Sequence, residues 1–196
     1  MAPATQPQPT LGGGASPPPA QPSGPPRADS RAERAHRLAP LLSSAHADWC
    51  TPDPVLELVR LLGPIGLDPC SNERSIVGAR VEWTAHDDGL ARSWAGFGLV
   101  YVNPPYGRKT IAAWAAKCHA QGRRAEVVAL LPARTDTRWW QMFCAPPGAQ
   151  AVCFLAGRIR FLGARSHAPF PSAAVYWGGR IEHFTAAFAP AGKVWR

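Results

Sequence analysis

The sequence predicts an α/β fold with an open, mostly parallel sheet and short antiparallel additions toward the C-terminus. Three observations carry this. From residue 49 onward, short apolar runs alternate with segments of helical periodicity. Two of those runs end in polar turns rich in Asp, Asn and Pro. The breakers, by contrast, crowd the start of the chain. Of 22 prolines in 196 residues, nine lie in the first 26, and no aromatic residue occurs before Trp49. A segment so poor in bulky apolar groups cannot offset its ordering entropy. Residues 1–45 are therefore expected to be a disordered Pro/Ala/Gly-rich tail, and residues 46–196 the folded domain.

Thr51 before Pro52 combines a capping hydroxyl with a proline suited to the first helical position. Val55, Leu58, Val59 and Leu62 then follow at helical spacing until Gly63-Pro64 stops the run. Ile65-Gly66-Leu67 reads as a short strand entering the turn Asp68-Pro69-Cys70-Ser71-Asn72. Phe97 to Val102 is apolar throughout, as a strand covered on both faces would be, and it ends in Asn103-Pro104-Pro105-Tyr106-Gly107. Ile111, Trp114, Ala115 and Cys118 mark a second helix closed by Gln121-Gly122, and Val127 to Leu131 a third strand ending at Pro132. Asp136 is placed to cap a helix through Trp139, Trp140 and Phe143, which Pro146-Pro147-Gly148 breaks. Ala151 to Leu155 reads as a fourth strand. Arg158 to Leu162 alternates charged and apolar residues, as a half-exposed strand does, and Ala173 to Trp177 closes the series. In open α/β sheets ligands sit outside the carboxyl ends of the strands, where both polar turns fall.

The formal charge is +8, of which only +1 belongs to residues 1–48, so the folded part is strongly basic and suits an anionic partner. Nucleic acid and a membrane surface both qualify. No run of about 18 apolar residues exists, and the N-terminus has no apolar core of a signal peptide, so no membrane association and a cytoplasmic location are expected. Five widely spaced cysteines without a C-x-x-C pair argue for reduced, buried thiols and against a metal site.

The most informative residues are Asn103-Pro104-Pro105-Tyr106. Two prolines fix φ and remove backbone donors, leaving a turn rich in carbonyls. The Asn103 side-chain oxygen and the Pro104 carbonyl can together accept both hydrogens of one planar amino group, and the Tyr106 ring can stack on the heterocycle bearing it. The lone pair of an exocyclic amine is delocalised into its ring. Pulling on both N–H bonds favours a tetrahedral nitrogen and frees that pair for attack, with no strong base.

Further blocks accompany the tetrad in order: Trp49-x-Thr51-Pro52, Leu67-Asp68-Pro69-Cys70, and Asp88-Gly89-Leu90 ahead of Trp94. Then come Val102 to Gly107, Leu131-Pro132-Ala133-Arg134-Thr135-Asp136-Thr137-Arg138-Trp139-Trp140, Gly157-Arg158-Ile159-Arg160-Phe161 and Ala168-Pro169-Phe170-Pro171-Ser172. With these the chain resembles, over about residues 48–178, the phage-type, Dam-like DNA N6-adenine methyltransferases. The tetrad alone is shared with enzymes that methylate amino groups of RNA and of protein glutamine; the Leu131 to Trp140 block is the specific one.

The resemblance implies S-adenosyl-L-methionine as methyl donor, a Rossmann-like sheet and double-stranded DNA as partner, with no metal. It implies a catalytic turn of Asn103, Pro104, Pro105 and Tyr106. Thr51 and Pro52 would touch the methionine end of the cofactor, Asp68, Pro69 and Cys70 its amino and carboxylate groups, and Asp88 its adenine. Two features depart from the pattern. The turn after the first strand has no glycine until Gly78, and no obvious acidic residue ends a second strand. About 33 residues separate the two turns, too few for two β-α units, so the cofactor half is expected to be shortened. Arg134, Arg138, Arg158, Arg160 and Arg165, with His167, lie in or beside turns and would neutralise DNA phosphates. Trp139 and Trp140 stand about 100 degrees apart on a helix, so only one can pack inward. A methyltransferase acting on RNA or a protein amide, and a catalytically silent DNA-binding phage accessory protein, are the alternatives on sequence.

Overall fold

Burial on both faces is what makes Leu99–Val102 and Glu126–Pro132 strands: every residue of the first, and all but Glu126 of the second, is buried. The computed structural model describes Met1, residues 49–108 and residues 110–196. But for Met1, the expected tail of residues 1–45 lies outside them. In chain order the elements are α1 (Asp53–Arg60), β1 (Ile65–Asp68), β2 (Val81–Glu82), β3 (Leu99–Val102), α2 (Ile111–Gln121) and β4 (Glu126–Pro132). A π-helical turn (Trp140–Cys144), β5 (Ala151–Leu155), β6 (Ser172–Trp177), α3 (Ile181–Phe188), a 3-10 turn (Ala189–Ala191) and β7 (Gly192–Trp195) follow.

The seven strands form one sheet in the order β2-β1-β3-β4-β6-β5-β7. β2, β1, β3 and β4 pair in parallel, whereas β6 runs antiparallel to both β4 and β5, and β7 antiparallel to β5. Strands β1 to β5 thus share one direction. Insertion of the reversed β6 between β4 and β5 nevertheless makes half of the neighbouring pairs antiparallel, so the sheet is mixed rather than mostly parallel. Nor is the antiparallel part a short addition, since the β4–β6 ladder runs from Val127–Trp177 to Pro132–Ser172.

Adjacent residues of a strand face opposite sides, which assigns the two helical layers. Tyr176 stacks on Phe184 of α3, with ring centroids 4.8 Å apart, and α1 lies beside α3. Trp177 points the other way, its indole N–H donating to the Phe143 and Gly148 carbonyls behind α2 and the π-helical turn. Gly122 is required there, because a Cβ would stand 2.3 Å from that of Trp177. At the start of α3, the Tyr176 hydroxyl donates to Glu126 (2.6 Å) and Arg180 forks onto the same carboxylate. Arg180 also donates to the Leu62 carbonyl at 2.7 Å, so one guanidinium joins β4, α1 and the start of α3.

Four local expectations need correction. Arg158 to Leu162 is not a strand: its partner on one side is a lone bridge from Leu162 to Cys50, and on the other Ala168 donates to the Ile159 carbonyl as the segment doubles back. The Thr51 hydroxyl does not cap α1, which starts after Pro52; it shares a 2.7 Å hydrogen bond with Tyr101. The helix expected after Asp136 is present from Arg138 to Cys144, but it has no side-chain cap and winds as a π-helix over Trp140–Cys144, with Trp140 buried and Trp139 half-buried. β2, α3 and β7 were not foreseen.

Candidate active site

β1 has β2 on one side and β3 on the other, so the chain reverses its direction of travel across the sheet between β1 and β3. The crevice outside the carboxyl ends of strands at such a point is where α/β sheets bind ligands. Asp68 to Cys70 and Asn103 to Tyr106 emerge there side by side. One cavity is lined by both turns and by Trp49, Cys50 and Thr51. It has room for about 20 Å³, little more than one water.

The turn after β3 is held rigidly. The Asn103 side-chain N–H donates to the Trp49 carbonyl at 2.6 Å, and its Oδ1 accepts from the Tyr106 hydroxyl at 2.7 Å. These two contacts fix which way the amide points. One lone pair of Oδ1 remains for another donor. The Leu130 carbonyl also lies 3.0 Å from the Tyr106 hydroxyl. The Tyr106 ring is only 3 % exposed, edge-on to Trp49 (5.8 Å), Phe161 (6.1 Å) and Phe170 (5.6 Å). The open stacking face expected of Tyr106 is therefore covered in this conformation, because its hydroxyl is drawn inward to Asn103 and Leu130. Burial pushes its phenol well above the usual range, so it stays a donor.

The turn after β1 is held differently. Asp68 is 4 % exposed and accepts from the Cys70 backbone N–H at 3.0 Å. Burial first, and Glu82 next, raise its carboxyl to about 7 against that hydrogen bond. Burial and the neighbouring Asp68 likewise push the Cys70 thiol well up. Ser71 and Trp83 clip the turn to β2 through the Ser71 N–H to Trp83 carbonyl and Trp83 N–H to Asp68 carbonyl bonds, both 2.8 Å.

β2 ends in Glu82, beside Asp68 in register, which supplies the acidic residue that the sequence did not reveal. Its carboxylate accepts from the Ser71 hydroxyl at 2.7 Å. Gly89 lies so close to Pro69 that a Cβ would fall 2.0 Å from its carbonyl oxygen, so the close approach usually given by a loop glycine is made from the neighbouring turn. The exposed Asp88 therefore sits against the turn after β1, at φ +51°. Thr51, Asp68, Cys70, Asn103, Pro104, Pro105 and Tyr106 all line the cavity; Pro52, Pro69 and Asp88 are not among its lining residues.

Arg158, Arg160, Arg165 and His167 are exposed on the segment that follows β5, whose Phe161 and Phe170 turn inward against Tyr106. The alternation that suggested a strand is thus real as an in-and-out pattern. Arg138 is exposed and Arg134 half-buried after β4. Arg108, also exposed, directly follows the turn after β3, and no charge pattern in the sequence marks it out. Among the described residues no group of three or more His, Cys, Asp or Glu side chains is arranged to hold a metal ion, and no disulfide joins any of the five cysteines. No helix among them is long and apolar enough to cross a membrane.

A mixed α/β sheet whose switch point gathers a buried carboxyl, an oriented amide and a basic rim has the build of an enzyme acting on a polar, anionic substrate. Residues 40–174, more than half of the chain, match the family described as DNA N-6-adenine-methyltransferase (Dam). The chain belongs to that family and is a DNA adenine methyltransferase. No curated protein matches it.

Proposed function

We propose that residues 46–196 form a Rossmann-like methyltransferase domain that transfers a methyl group from S-adenosylmethionine to N6 of an adenine swung out of duplex DNA. The observation that carries this is the Asn103 amide, oriented by Trp49 and Tyr106 at the end of β3 and next to the Asp68 turn.

The donor set around Asp68 fits the cofactor. A buried carboxyl raised to about 7 regains its charge when an ammonium group comes beside it, and the cofactor carries one. Asp68 and the Cys70 backbone would hold the amino-acid end, Thr51 and Pro52 its other side, Glu82 the ribose hydroxyls and Asp88 the adenine. When bound, S-adenosylmethionine supplies an electrophilic sulfonium methyl. The protein's own part is positioning. Asn103 Oδ1, through its second lone pair, and the Pro104 carbonyl accept the two N6 hydrogens and localise the nitrogen lone pair. Tyr106 holds Asn103 in that pose. Arg134, Arg138, Arg158, Arg160 and Arg165 neutralise backbone phosphates, and unstacking of the target base costs a few kcal/mol.

Incubation with tritiated S-adenosylmethionine and unmethylated DNA, followed by nucleoside analysis, tests this directly. Label in N6-methyl-2′-deoxyadenosine from the wild type and none from Asn103→Ala is the expected result. Label in cytosine, or equal label from both proteins, overturns it.

A further inference from the structure

A second cavity, of about 700 Å³, lies at the end of the sheet away from both turns. It is lined where β1, β3 and β4 begin, at Ile65, Leu99 and Glu126, whereas Asp68, Asn103 and Pro132 stand at or just past their other ends. Four arginines reach it from three connections: Arg80 ahead of β2, Arg123 and Arg124 between α2 and β4, and Arg180 between β6 and α3. All four are exposed. Among the described residues lining the cavity Glu126 is the one carboxylate, and Arg180 and the Tyr176 hydroxyl already hold it. No ion pair engages Arg80, Arg123 or Arg124 among the described residues. Three guanidiniums are thus left over around one cavity, and six of the lining residues are glycines, with no side chain to fill it.

This charge does little for DNA held at the catalytic end. The length of β4 separates the two ends by about 20 Å. Charges in solvent are screened beyond about 8 Å at physiological salt. Nor do the chain's first 48 residues complement the cavity, since they carry a net +1 themselves. A site for a small molecule is mainly apolar with a few polar groups, whereas an exposed cationic rim suits a chain of phosphates, onto whose oxygens guanidiniums fork. We propose that this cavity grips the sugar-phosphate backbone of a second DNA segment while the first occupies the catalytic end. Arg80, Arg123 and Arg124 make the phosphate contacts, and Arg180 holds the wall they stand on. An enzyme so built passes from one duplex segment to another without releasing both.

The test immobilises a duplex carrying the sequence that the enzyme methylates, saturates it with the full chain, and measures retention of a second, labelled short duplex that lacks this sequence. The wild type should retain it. Combined Arg80→Gln, Arg123→Gln and Arg124→Gln should weaken that retention about tenfold or more, with binding and methylation of the immobilised duplex within about twofold of wild type. Those two readings report that the variant is folded. Gly179→Asp, which adds a carboxylate where a Cβ meets nothing within 4 Å, should weaken retention too, and it decides alone if the triple variant fails to bind the first duplex. Undiminished retention by both would assign bridging to a second copy of the chain and overturn the proposal, as would a wild type that retains no second duplex. A melting temperature raised by tripolyphosphate in the wild type alone, without retention of DNA, would overturn it in favour of a small polyphosphate. Retention is scored apart from methylation, so a wild type that retains the second duplex but methylates no adenine loses the methyl-transfer reading and keeps this site.

Discussion

The turn after β3 is held by groups already in place, whereas the turn after β1 buries a carboxyl whose charge depends on what comes beside it. Asn103 is pinned on both sides of its amide, by Trp49 and by Tyr106, with two prolines stiffening the chain between. Asp68 accepts a backbone N–H, yet burial holds its carboxyl near neutral. The first arrangement is preorganised, so its contribution appears in the rate. The second gains most when a cation arrives, so its contribution appears in binding. Substitutions at the two turns should therefore move different constants.

The largest effect is expected at Asn103. Asn103→Ala removes an acceptor that matters most as the amine becomes tetrahedral, so single-turnover rate at saturating cofactor should fall about 100-fold or more, with DNA and cofactor affinities within about threefold. A full rate in the folded variant would reduce the turn to a structural one.

Next is Asp68. Asp68→Ala should weaken S-adenosylmethionine binding by about 30-fold in calorimetric titration, the scale of one hydrogen bond to a charged group, and leave DNA affinity nearly intact. In the wild type, cofactor affinity should rise with pH up to about 7, as the carboxyl ionises, and Asp68→Asn should flatten that rise. Stability runs the other way. A carboxyl raised from 3.8 to about 7 by folding lets the native state hold a proton that the unfolded chain has released. Its stabilising contribution is full below pH 3.8 and is lost as pH rises through about 7. Denaturant midpoints of wild type against Asp68→Asn across this range measure it; a wild-type curve parallel to that of the variant would show that Asp68 is not the titrating group.

A smaller effect separates positioning from stacking within the first turn. Tyr106→Phe keeps the ring but loses the hydroxyl on Asn103, so turnover should fall about fivefold with little change in DNA affinity. Full activity in Tyr106→Phe would mean that the Trp49 carbonyl alone orients the amide.

Smallest of all, Arg158→Gln and Arg160→Gln should each reduce the slope of log affinity against log salt by about 1, leaving both turns untouched. Unchanged slopes in both would take the segment after β5 off the DNA face.

Long buried runs made much of the fold legible in the sequence. Leu99–Val102 and Ala151–Leu155 need no partner to be identified, because apolar runs of that length bounded by turns have few other uses. Val81–Glu82 left no such trace: two residues have no period, and they become a strand only because Leu67 and Asp68 lie alongside. Glu82 was hidden for the same reason. Arg158 to Leu162 carried the right alternation, yet ladder pairing is a property of neighbours, and the neighbour here is the segment's own return. At the site, the sequence located the Asn-Pro-Pro-Tyr turn at the carboxyl end of a buried strand, where it lies. The side to which Tyr106 turns was not written there, since it depends on Leu130 and Phe170, which are distant in sequence.

The Arg180 guanidinium links Leu62 to Glu126 and thereby closes a loop of 118 residues between α1 and the start of α3. During synthesis the first helix and both polar turns leave the ribosome long before that arginine does. Their helical layer is then open, because α3, which lies beside α1, has not yet been made. Contacts of such separation form late and slowly, and they expose apolar strands to other chains in the meantime. A chain interrupted before that arginine therefore carries both turns but lacks the link between Leu62 and Glu126 that Arg180 supplies.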